Sequence, residues 1–330
     1  MKVKKVLVRG LLVITIVGAA ILIYTVWDNS RVKVVRQEVG IPGLPKEFEG
    51  YNILQLTDLQ GRTFGSNQDK LIRQINSLNY DSILFTGDIL DDKKVDYAPF
   101  YRLLDGIENK TNALYVQGNS DPSNYKIGGN GELTKHDFVN GMEKRGVELL
   151  ESSHELTVDG AALTFVDFEL SILDPEKGFT FANGRTRPQM WRNQKYIAYQ
   201  NELLQQWKGF EKRENEVLIA VNHFPVIDER IDQLTSSTYY KFRDYDLIIA
   251  GHYHGGQIRI PFLGALVVPE AFYDFGGLFP PQDRVKGLWE YKAIKQYVSA
   301  GLGSSDAVGF MNFRLFNTPE INLLTLKDAK

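Results

Sequence analysis

The sequence predicts an α/β fold preceded by one membrane-spanning helix. Near the N-terminus, residues 11–27 contain no charged side chain. From residue 51 onward, short apolar runs alternate with segments of helical periodicity, as in chains that form βαβ units. Several of these apolar runs end in short polar tips, which is where open α/β sheets place their functional sites.

The first 31 residues are expected to lie outside the globular part. Four basic residues within the first nine precede the stretch from Leu11 to Trp27, whose 17 residues reach the lower limit for crossing a bilayer as a helix. A basic flank stays in the cytoplasm. We therefore expect a single-pass signal anchor over residues 1–31 and an extracytoplasmic domain over residues 32–330, at the cell membrane. A cleaved signal peptide is the alternative.

Composition excludes several classes of site. The 330 residues contain no Cys, which rules out disulfides, thiolate metal sites and Cys nucleophiles. Without the four basic residues of the N-terminal flank, 34 of the 38 basic residues remain against 41 acidic ones, a net charge of −7. A net acidic domain has no general electrostatic reason to bind nucleic acid, and we expect none to be bound.

Apolar and alternating patterns predict the strands, and apolar residues at helical spacing predict the helices. Residues 31–39 alternate, which predicts a strand at a sheet edge. Further strands are predicted over residues 51–57, 81–86, 113–117, 147–150, 155–158, 161–166, 217–221 and 246–250. Helices are predicted over residues 66–78, 99–107, 136–144, 190–207 and 227–234. Residues 167–188 lack a clear period, which predicts a long loop.

Five predicted strands end in a tip that carries a metal-ligating side chain. A His-x-His pair follows the last of them, and a strand-like backbone points these alternate side chains along one face. Two ordinary loop histidines are the alternative interpretation. Together the tips contribute Asp58, Gln60, Asp88, Asn119, His223, His252 and His254.

Carboxylate, amide and imidazole groups without a thiolate suit Mn, Fe or Zn. Two divalent ions that share one carboxylate can grip a phosphate and activate the water between them. Asp88 is the natural shared ligand, because its strand lies between the other contributors.

The order of these tips resembles the calcineurin-like metallophosphoesterase family. That family's pattern runs Asp-x-His, Gly-Asp-x-x-Asp, Gly-Asn-His-Asp/Glu, a lone His and Gly-His-x-His. The resemblance covers about residues 50–326. The segment Gly251–Pro261 and the tail from Tyr297 to Ile321 are most similar to the family's membrane-anchored or exported bacterial branch, the YkuE- and YaeI-like phosphodiesterases. The resemblance implies a four-layer αββα sandwich.

The resemblance also implies how the ligands divide between two metal ions. Asp58 and His254 would hold one ion, and Asp88 would be shared. The second ion would be held by Asn119, His223 and His252. Asp91, the last residue of Gly-Asp-x-x-Asp, would support the ligands from behind.

Two positions depart from the family pattern. Gln60 stands where the family has a metal-ligating His, and an amide oxygen is a harder and weaker ligand, so that site should be looser or select Mn or Mg over Zn. Ser120 stands at the catalytic position where the family has a His near the phosphate as a proton donor or charge stabiliser, and a hydroxyl cannot carry positive charge. His136 and His154 are the only other histidines that could compensate. Arg62 could meet a phosphate bidentately or be a surface residue.

The leading functional hypothesis is a membrane-anchored, metal-dependent phosphoesterase. It would hydrolyse a phosphodiester or pyrophosphate of the envelope, such as a lipid-linked or wall-polymer intermediate, by in-line attack of a hydroxide shared by two metal ions. A degenerate member of the fold that binds a phosphorylated ligand or partner with little turnover is the alternative, which Gln60 and Ser120 favour. A nuclease of the same fold is disfavoured by the charge of −7.

Aromatic and Pro residues are frequent around and after the last site strand. They are Tyr239-Tyr240, Phe272-Tyr273, Phe275 and Phe279-Pro280-Pro281. Packing of a long loop is the favoured interpretation, and a lid or groove for an acyl chain near the membrane is the alternative.

Overall fold

A computed structural model describes residues 2–91, 95–179, 190, 193–270, 273–305 and 312–329. Its first element is helix α1, Lys2–Asn29. The most apolar 18 residues of the segment Val3–Asn29 have a mean hydropathy of 2.6. None of these residues is buried against the rest of the protein. Within the described ranges it is the one helix long and apolar enough to cross a membrane. Its orientation and any cleavage stay predictions.

Two six-stranded mixed sheets form the centre of the fold. The first sheet consists, in spatial order, of β1 Lys33–Ile41, β16 Glu320–Asp328, β2 Asn52–Leu56, β3 Ser82–Phe85, β4 Ala113–Tyr115 and β7 Glu148–Leu149. The second consists, in spatial order, of β14 Gly287–Tyr291, β15 Ile294–Val298, β11 Leu247–Ala250, β10 Glu216–Val221, β9 Ala161–Asp167 and β8 Ser153–Val158.

Two small antiparallel pairs extend from the sheets. They are β5 Tyr125–Ile127 with β6 Leu133–Lys135, and β12 Arg259–Ile260 with β13 Gly264–Ala265. The helices after α1 are α2 Asp69–Asn76, α3 Ala98–Gly106, α4 Asp137–Glu143, α5 Phe168–Ser171, α6 Gln194–Gln205 and α7 Asp228–Ser236, and a single turn covers Asp274–Gly277. Short 3₁₀ turns cover Lys46–Phe48, Ser66–Gln68 and His254–Gly256.

Buried side chains define four layers. Residues of both sheets, among them Leu84, Leu114, Phe165 and Ile249, form one apolar cluster between the sheets. A second cluster joins the first sheet to α2, α3 and α4, and a third joins the second sheet to α5, α6 and α7. Burial of apolar surface on both faces explains why the central strands are continuous apolar runs. The αββα sandwich implied by the resemblance is confirmed.

The carboxyl ends of the parallel strands lie at one edge of the sandwich. Strands β2, β3 and β4 are parallel, as are β9, β10, β11 and β15, so the carboxyl ends within each sheet lie at one edge. Strand β16 runs antiparallel to β2 and parallel to β1. Strand β1 therefore begins where β2 ends, so α1, which ends at Asn29, meets the sandwich at that edge.

The predicted strands and helices up to Ala250 all exist, with ends that differ by a few residues. The sequence patterns missed the β5–β6 and β12–β13 pairs and the last three strands of the sheets. The predicted long loop begins with the short helix α5, and its residues 180–188 lie outside the described ranges, as does Phe272 of the aromatic stretch.

Candidate metal centre

The polar tips of both sheets converge at this edge. Ligand atoms of Asp88, His223 and His252 lie within 4.8 Å of one another, and so do those of Asp58, Asp88 and His254. Asp88 belongs to both triads and follows β3, in the middle of the first sheet. One carboxylate thus belongs to two neighbouring groups that could each hold a cation, and its sharing by two metal ions stays a prediction.

The triad with His223 is held by contacts from both sheets. The Nε2 atom of His223 lies 3.3 Å from Asp88 Oδ1 and 3.2 Å from Asn119 Oδ1, so Asn119 joins this group. The other ring nitrogen, Nδ1, is 2.8 Å from the carbonyl oxygen of Thr86. A backbone acceptor on Nδ1 fixes the ring with Nε2 directed at Asp88, Asn119 and His252, the orientation found in metal-ligating histidines.

The triad with His254 contains two unsatisfied atoms. Asp58 is wholly buried, and its Oδ1 atom lies 3.6 Å from His254 Nε2. Neither Asp58 Oδ1 nor His254 Nδ1 has a hydrogen-bond partner among the residues that the structure describes. A buried carboxylate oxygen without a donor is costly, and a cation would satisfy it. The donor set of oxygen and imidazole nitrogen fits Mn, Fe or Zn.

Electrostatics favour cation binding at the shared carboxylate. Burial alone would raise the pKa of Asp88, but the charge of His223 and its hydrogen bond outweigh burial and hold that pKa well below its ordinary value. Burial and the charge of His223 lower the pKa of His252 to about 3. Asp88 is thus ionised and His252 neutral at pH 7, the forms that bind a metal ion. Burial alone would lower the pKa of His223, but the charge of Asp88 and its hydrogen bond raise it to about 9, so a cation bound by His223 would displace a proton from that ring.

Strained backbone positions these ligands. The strand tips have φ angles in the left-handed region at Asp58 (53°), Gln60 (51°), Asp88 (52°), His252 (67°) and His254 (48°). Each such residue costs roughly 1–2 kcal/mol, which the surrounding fold must offset. Close approach requires glycine nearby: a Cβ on Gly118 would lie 2.1 Å from the Asp88 nitrogen, and one on Gly251 would lie 2.2 Å from Thr57 Oγ1.

Gln60 and Ser120, the two departures from the family pattern, both hydrogen-bond the Asp88 carboxylate. Gln60 Nε2 donates to Asp88 Oδ2 over 2.8 Å, and Ser120 Oγ lies 3.0 Å from the same oxygen. Gln60 Nε2 and Ser120 Oγ are themselves 3.3 Å apart. In this arrangement the Gln60 amide donates to Asp88, so its oxygen would bind a cation only after the amide rotates. The ligand role of Gln60 and the catalytic role of Ser120 stay predictions.

Arg62 has a different partner from the one expected. Its Nη2 atom donates to the carbonyl oxygen of Asn29 over 2.7 Å, and its guanidinium lies 5.4 Å from the Phe64 ring centre. Arg62 therefore secures the end of α1, because a backbone carbonyl there needs a donor. A contact between Arg62 and a phosphate stays a prediction that requires this bond to open.

The remaining candidates are Asp91, His136 and His154. Asp91 packs beside the first tip, since its Cβ would be 3.4 Å from a Cβ on Gly61, and its supporting role stays a prediction. His136 caps α4 by accepting from the Phe138 nitrogen. His154 lies on edge strand β8, 3.1 Å from Glu148. Both histidines therefore make structural contacts outside the two triads.

The sequence did not single out Asp121, which fastens two tips together. This buried carboxylate accepts from the backbone nitrogens of Ile89, Leu90 and Gly118 and from the Tyr115 hydroxyl, over 2.9–3.0 Å. The only sequence signal was its place in the tip after β4, at the Asp/Glu of Gly-Asn-His-Asp/Glu.

Asp121→Ala is expected to lower the free energy of unfolding by about 3 kcal/mol or more, because several buried donors lose their acceptor at once. Urea unfolding of the full chain in detergent measures this. Tyr115→Phe removes one of the four bonds and should cost only about 1 kcal/mol. Equal effects of the two changes would contradict the fastening role.

Arg314 is a second residue that the sequence did not indicate. It is fully buried, and its guanidinium donates to the carbonyl oxygens of His254 (3.1 Å), Ala300 (2.7 Å), Gly303 (2.7 Å) and Asn317 (2.8 Å). Burial lowers its pKa to about 10. Arg314 thus holds the backbone of His254 from behind.

Comparisons with known proteins agree with this geometry. Residues 51–256 match the family model described as calcineurin-like phosphoesterase. The chain is 23% identical to the uncharacterized metallophosphoesterase YkuE of Bacillus subtilis, over 87% of this chain and 82% of YkuE. It is 23% identical to the UDP-2,3-diacylglucosamine pyrophosphatase LpxG of Chlamydia muridarum, over 94% of this chain and 95% of LpxG. It is 24% identical to the uncharacterized metallophosphoesterase Cj0846 of Campylobacter jejuni, over 96% of this chain and 69% of that protein.

Proposed function

This chain belongs to the calcineurin-like phosphoesterase family, and from that premise we propose that it is a membrane-anchored, metal-dependent hydrolase of a lipid-linked phosphodiester or pyrophosphate. The observation that carries the proposal is the position of Asp88 in both ligand triads. A relative that covers nearly the whole chain is named as a pyrophosphatase of a diacylated nucleotide sugar, which supports the same class of substrate.

The proposed roles follow the two triads. Asp58, His254 and, after rotation of its amide, Gln60 would hold one divalent ion. Asn119, His223 and His252 would hold the other, with Asp88 on both. Two bound divalent ions would neutralise phosphoryl charge and lower the pKa of water.

The chain's own residues prepare this chemistry in two ways. The carbonyl oxygen of Thr86 fixes the His223 ring, and Asp121 fixes the tips that carry Asp88 and Asn119. Burial of Asp58 and Asp88 removes competing water from the carboxylates, which strengthens their attraction for cations.

Membrane attachment supports a lipid-borne substrate. Only residues 30–32 separate α1 from β1, and both lie at the edge that carries the triads. Three residues span at most about 11 Å. If α1 crosses the membrane with its basic flank in the cytoplasm, the metal centre faces the outer surface of the bilayer at short range. With this topology the proposed active site would lie within reach of a headgroup phosphate.

A binding protein with little turnover is the second candidate. The hydrogen bonds from Gln60 and Ser120 to Asp88 Oδ2 favour it, because they occupy an oxygen that a cation at either site would use. A hydroxyl in place of an imidazole also removes an expected acid.

Metal analysis combined with a hydrolysis assay separates the two candidates. The full chain in detergent would be loaded with Mn, Zn or Mg and assayed on bis-p-nitrophenyl phosphate. We expect bound metal in molar proportion and turnover that a chelator abolishes and added metal restores. Stoichiometric metal without turnover would favour the binding protein, and absence of bound metal would overturn the metal-dependent hydrolase.

A further inference from the structure

We propose that a cluster of exposed apolar side chains beside the metal centre inserts into the same bilayer surface from which α1 emerges. This apolar face consists of Phe262, Leu263, Phe275, Leu278, Phe279, Phe313 and Phe316. It would be a second membrane contact in addition to the anchor helix. The inference extends the proposed membrane attachment and names its partner as the lipid surface.

The apolar face is built from segments that are bonded to one another. Phe262 and Leu263 form the tip of the β12–β13 hairpin and are 108% and 63% exposed. Val267, just after the hairpin, pairs with Leu278, and the nitrogen of Phe279 donates to the Leu266 carbonyl. Phe275 and Phe279 are 89% and 61% exposed. Soluble proteins expose single apolar residues, whereas a contiguous group marks an interaction surface.

The apolar face is continuous with the anchor helix. Leu315 pairs with Ile258 at the start of the hairpin, and the next residue, Phe316, packs on Tyr24 of α1 with ring centres 5.4 Å apart. The exposed side of α1 stays apolar down to Val26 and Trp27, which are 66% and 55% exposed. The anchor and the hairpin therefore share one end of the molecule, where aromatic residues favour the membrane interface.

Backbone strain supports a functional role for these side chains. Four phenylalanines of the apolar face have left-handed φ angles: Phe262 (70°), Phe275 (53°), Phe279 (51°) and Phe316 (50°). Bulky residues avoid this region, and such outliers concentrate at functional sites. Glycine or asparagine would adopt these φ angles at lower cost than phenylalanine. The presence of an exposed ring at these positions therefore indicates a function for the ring.

The apolar face also adjoins the metal centre. Only two residues separate the 3₁₀ turn His254–Gly256 from β12, and Arg259 of β12 donates to the carbonyl oxygen of Gly255 over 2.9 Å. A lipid headgroup held at the apolar face would therefore lie beside the proposed active site. The bilayer is favoured over a second copy or a soluble partner because the surface continues that of a helix which itself requires lipid.

Single-cysteine spin labelling tests the inference, since the natural chain has no Cys. Nitroxides would be attached at Phe262→Cys and, as references, at Ile14→Cys in α1 and Val158→Cys. Val158 ends β8 and lies before β9 begins, at the opposite edge of the second sheet. All three residues are exposed, so the labels should not perturb folding. The full chain would be placed in nanodiscs of phosphatidylcholine and phosphatidylglycerol.

The measured quantity is the ratio of nitroxide collisions with oxygen to collisions with a water-soluble nickel chelate. We expect this ratio at 262 to approach that at 14 and to exceed that at 158 several-fold. A ratio at 262 equal to that at 158, with a lipid-like ratio at 14, would overturn the second contact and leave the anchor intact. A water-like ratio at 14 would overturn both. Shielding at 262 from both reagents, with short distances between labels, would identify a second copy instead.

Discussion

Asp88→Asn is expected to lower hydrolysis of bis-p-nitrophenyl phosphate and metal affinity together, each by more than about 100-fold. Groups that only support metal ligands cost 10–100-fold when removed, and Asp88 is a shared member of two triads. Asparagine is preferred to alanine because it tolerates the φ of 52° at this position. Titration of metal content and steady-state kinetics on the same preparations measure the two effects.

Asp159→Asn is the matched control for this change. Asp159 lies in the turn between β8 and β9 and has a similar φ of 48°, but it is exposed at the far end of the second sheet. Asp159→Asn should leave hydrolysis and metal affinity unchanged. If Asp88→Asn retained full metal content and full turnover, the shared carboxylate would have no role in either.

Ser120→His and Gln60→His are expected to raise activity. An imidazole at 120 restores a group that can act as an acid, an effect of about 10²–10⁴-fold in kcat. An imidazole at 60 should mainly tighten metal binding and shift preference from Mn or Mg toward Zn. Because Gln60 Nε2 and Ser120 Oγ both contact Asp88 Oδ2, we expect the double variant to depart from the product of the single effects.

Thr157→His, on edge strand β8, controls for the addition of an imidazole to the surface. The discriminating readout is the comparison of kcat with the metal concentration that gives half-maximal activity. A gain at neither position would mean that the natural Gln and Ser already perform the tasks for which the family uses His.

The candidate site could be predicted because its residues lie next to strands that the local sequence pattern indicates. Each proposed ligand closely follows an apolar strand, and parallel strands end at one edge whatever their order, so Asp58, Asp88 and His252 were expected to approach one another. The hydrogen bonds of Gln60 could not be anticipated in this way. The orientation of the Gln60 amide depends on Asp88 and Ser120, which belong to two other tips, and residue spacing along the chain does not predict these contacts.

Strand β16 and Arg314 escaped prediction for related reasons. β16 lies between β1 and β2, almost three hundred residues away, and periodicity indicates a strand but not its partner. Composition predicts an exposed arginine, since charged side chains are rarely buried without a partner. Here the partners of Arg314 are backbone carbonyls, which every residue has and which no sequence pattern reveals.

The last residue of α1, Asn29, is hydrogen-bonded to the part of the protein that carries the two triads. Asn29 donates to the Arg314 carbonyl over 2.6 Å and accepts from the Arg314 nitrogen over 2.9 Å, and Arg314 in turn supports His254. A peptidase that cut the chain after Asn29 would release these bonds along with the helix. Such a cut would alter the support behind His254, a proposed metal ligand, so under the proposed function we expect release of the domain and loss of activity in the same event.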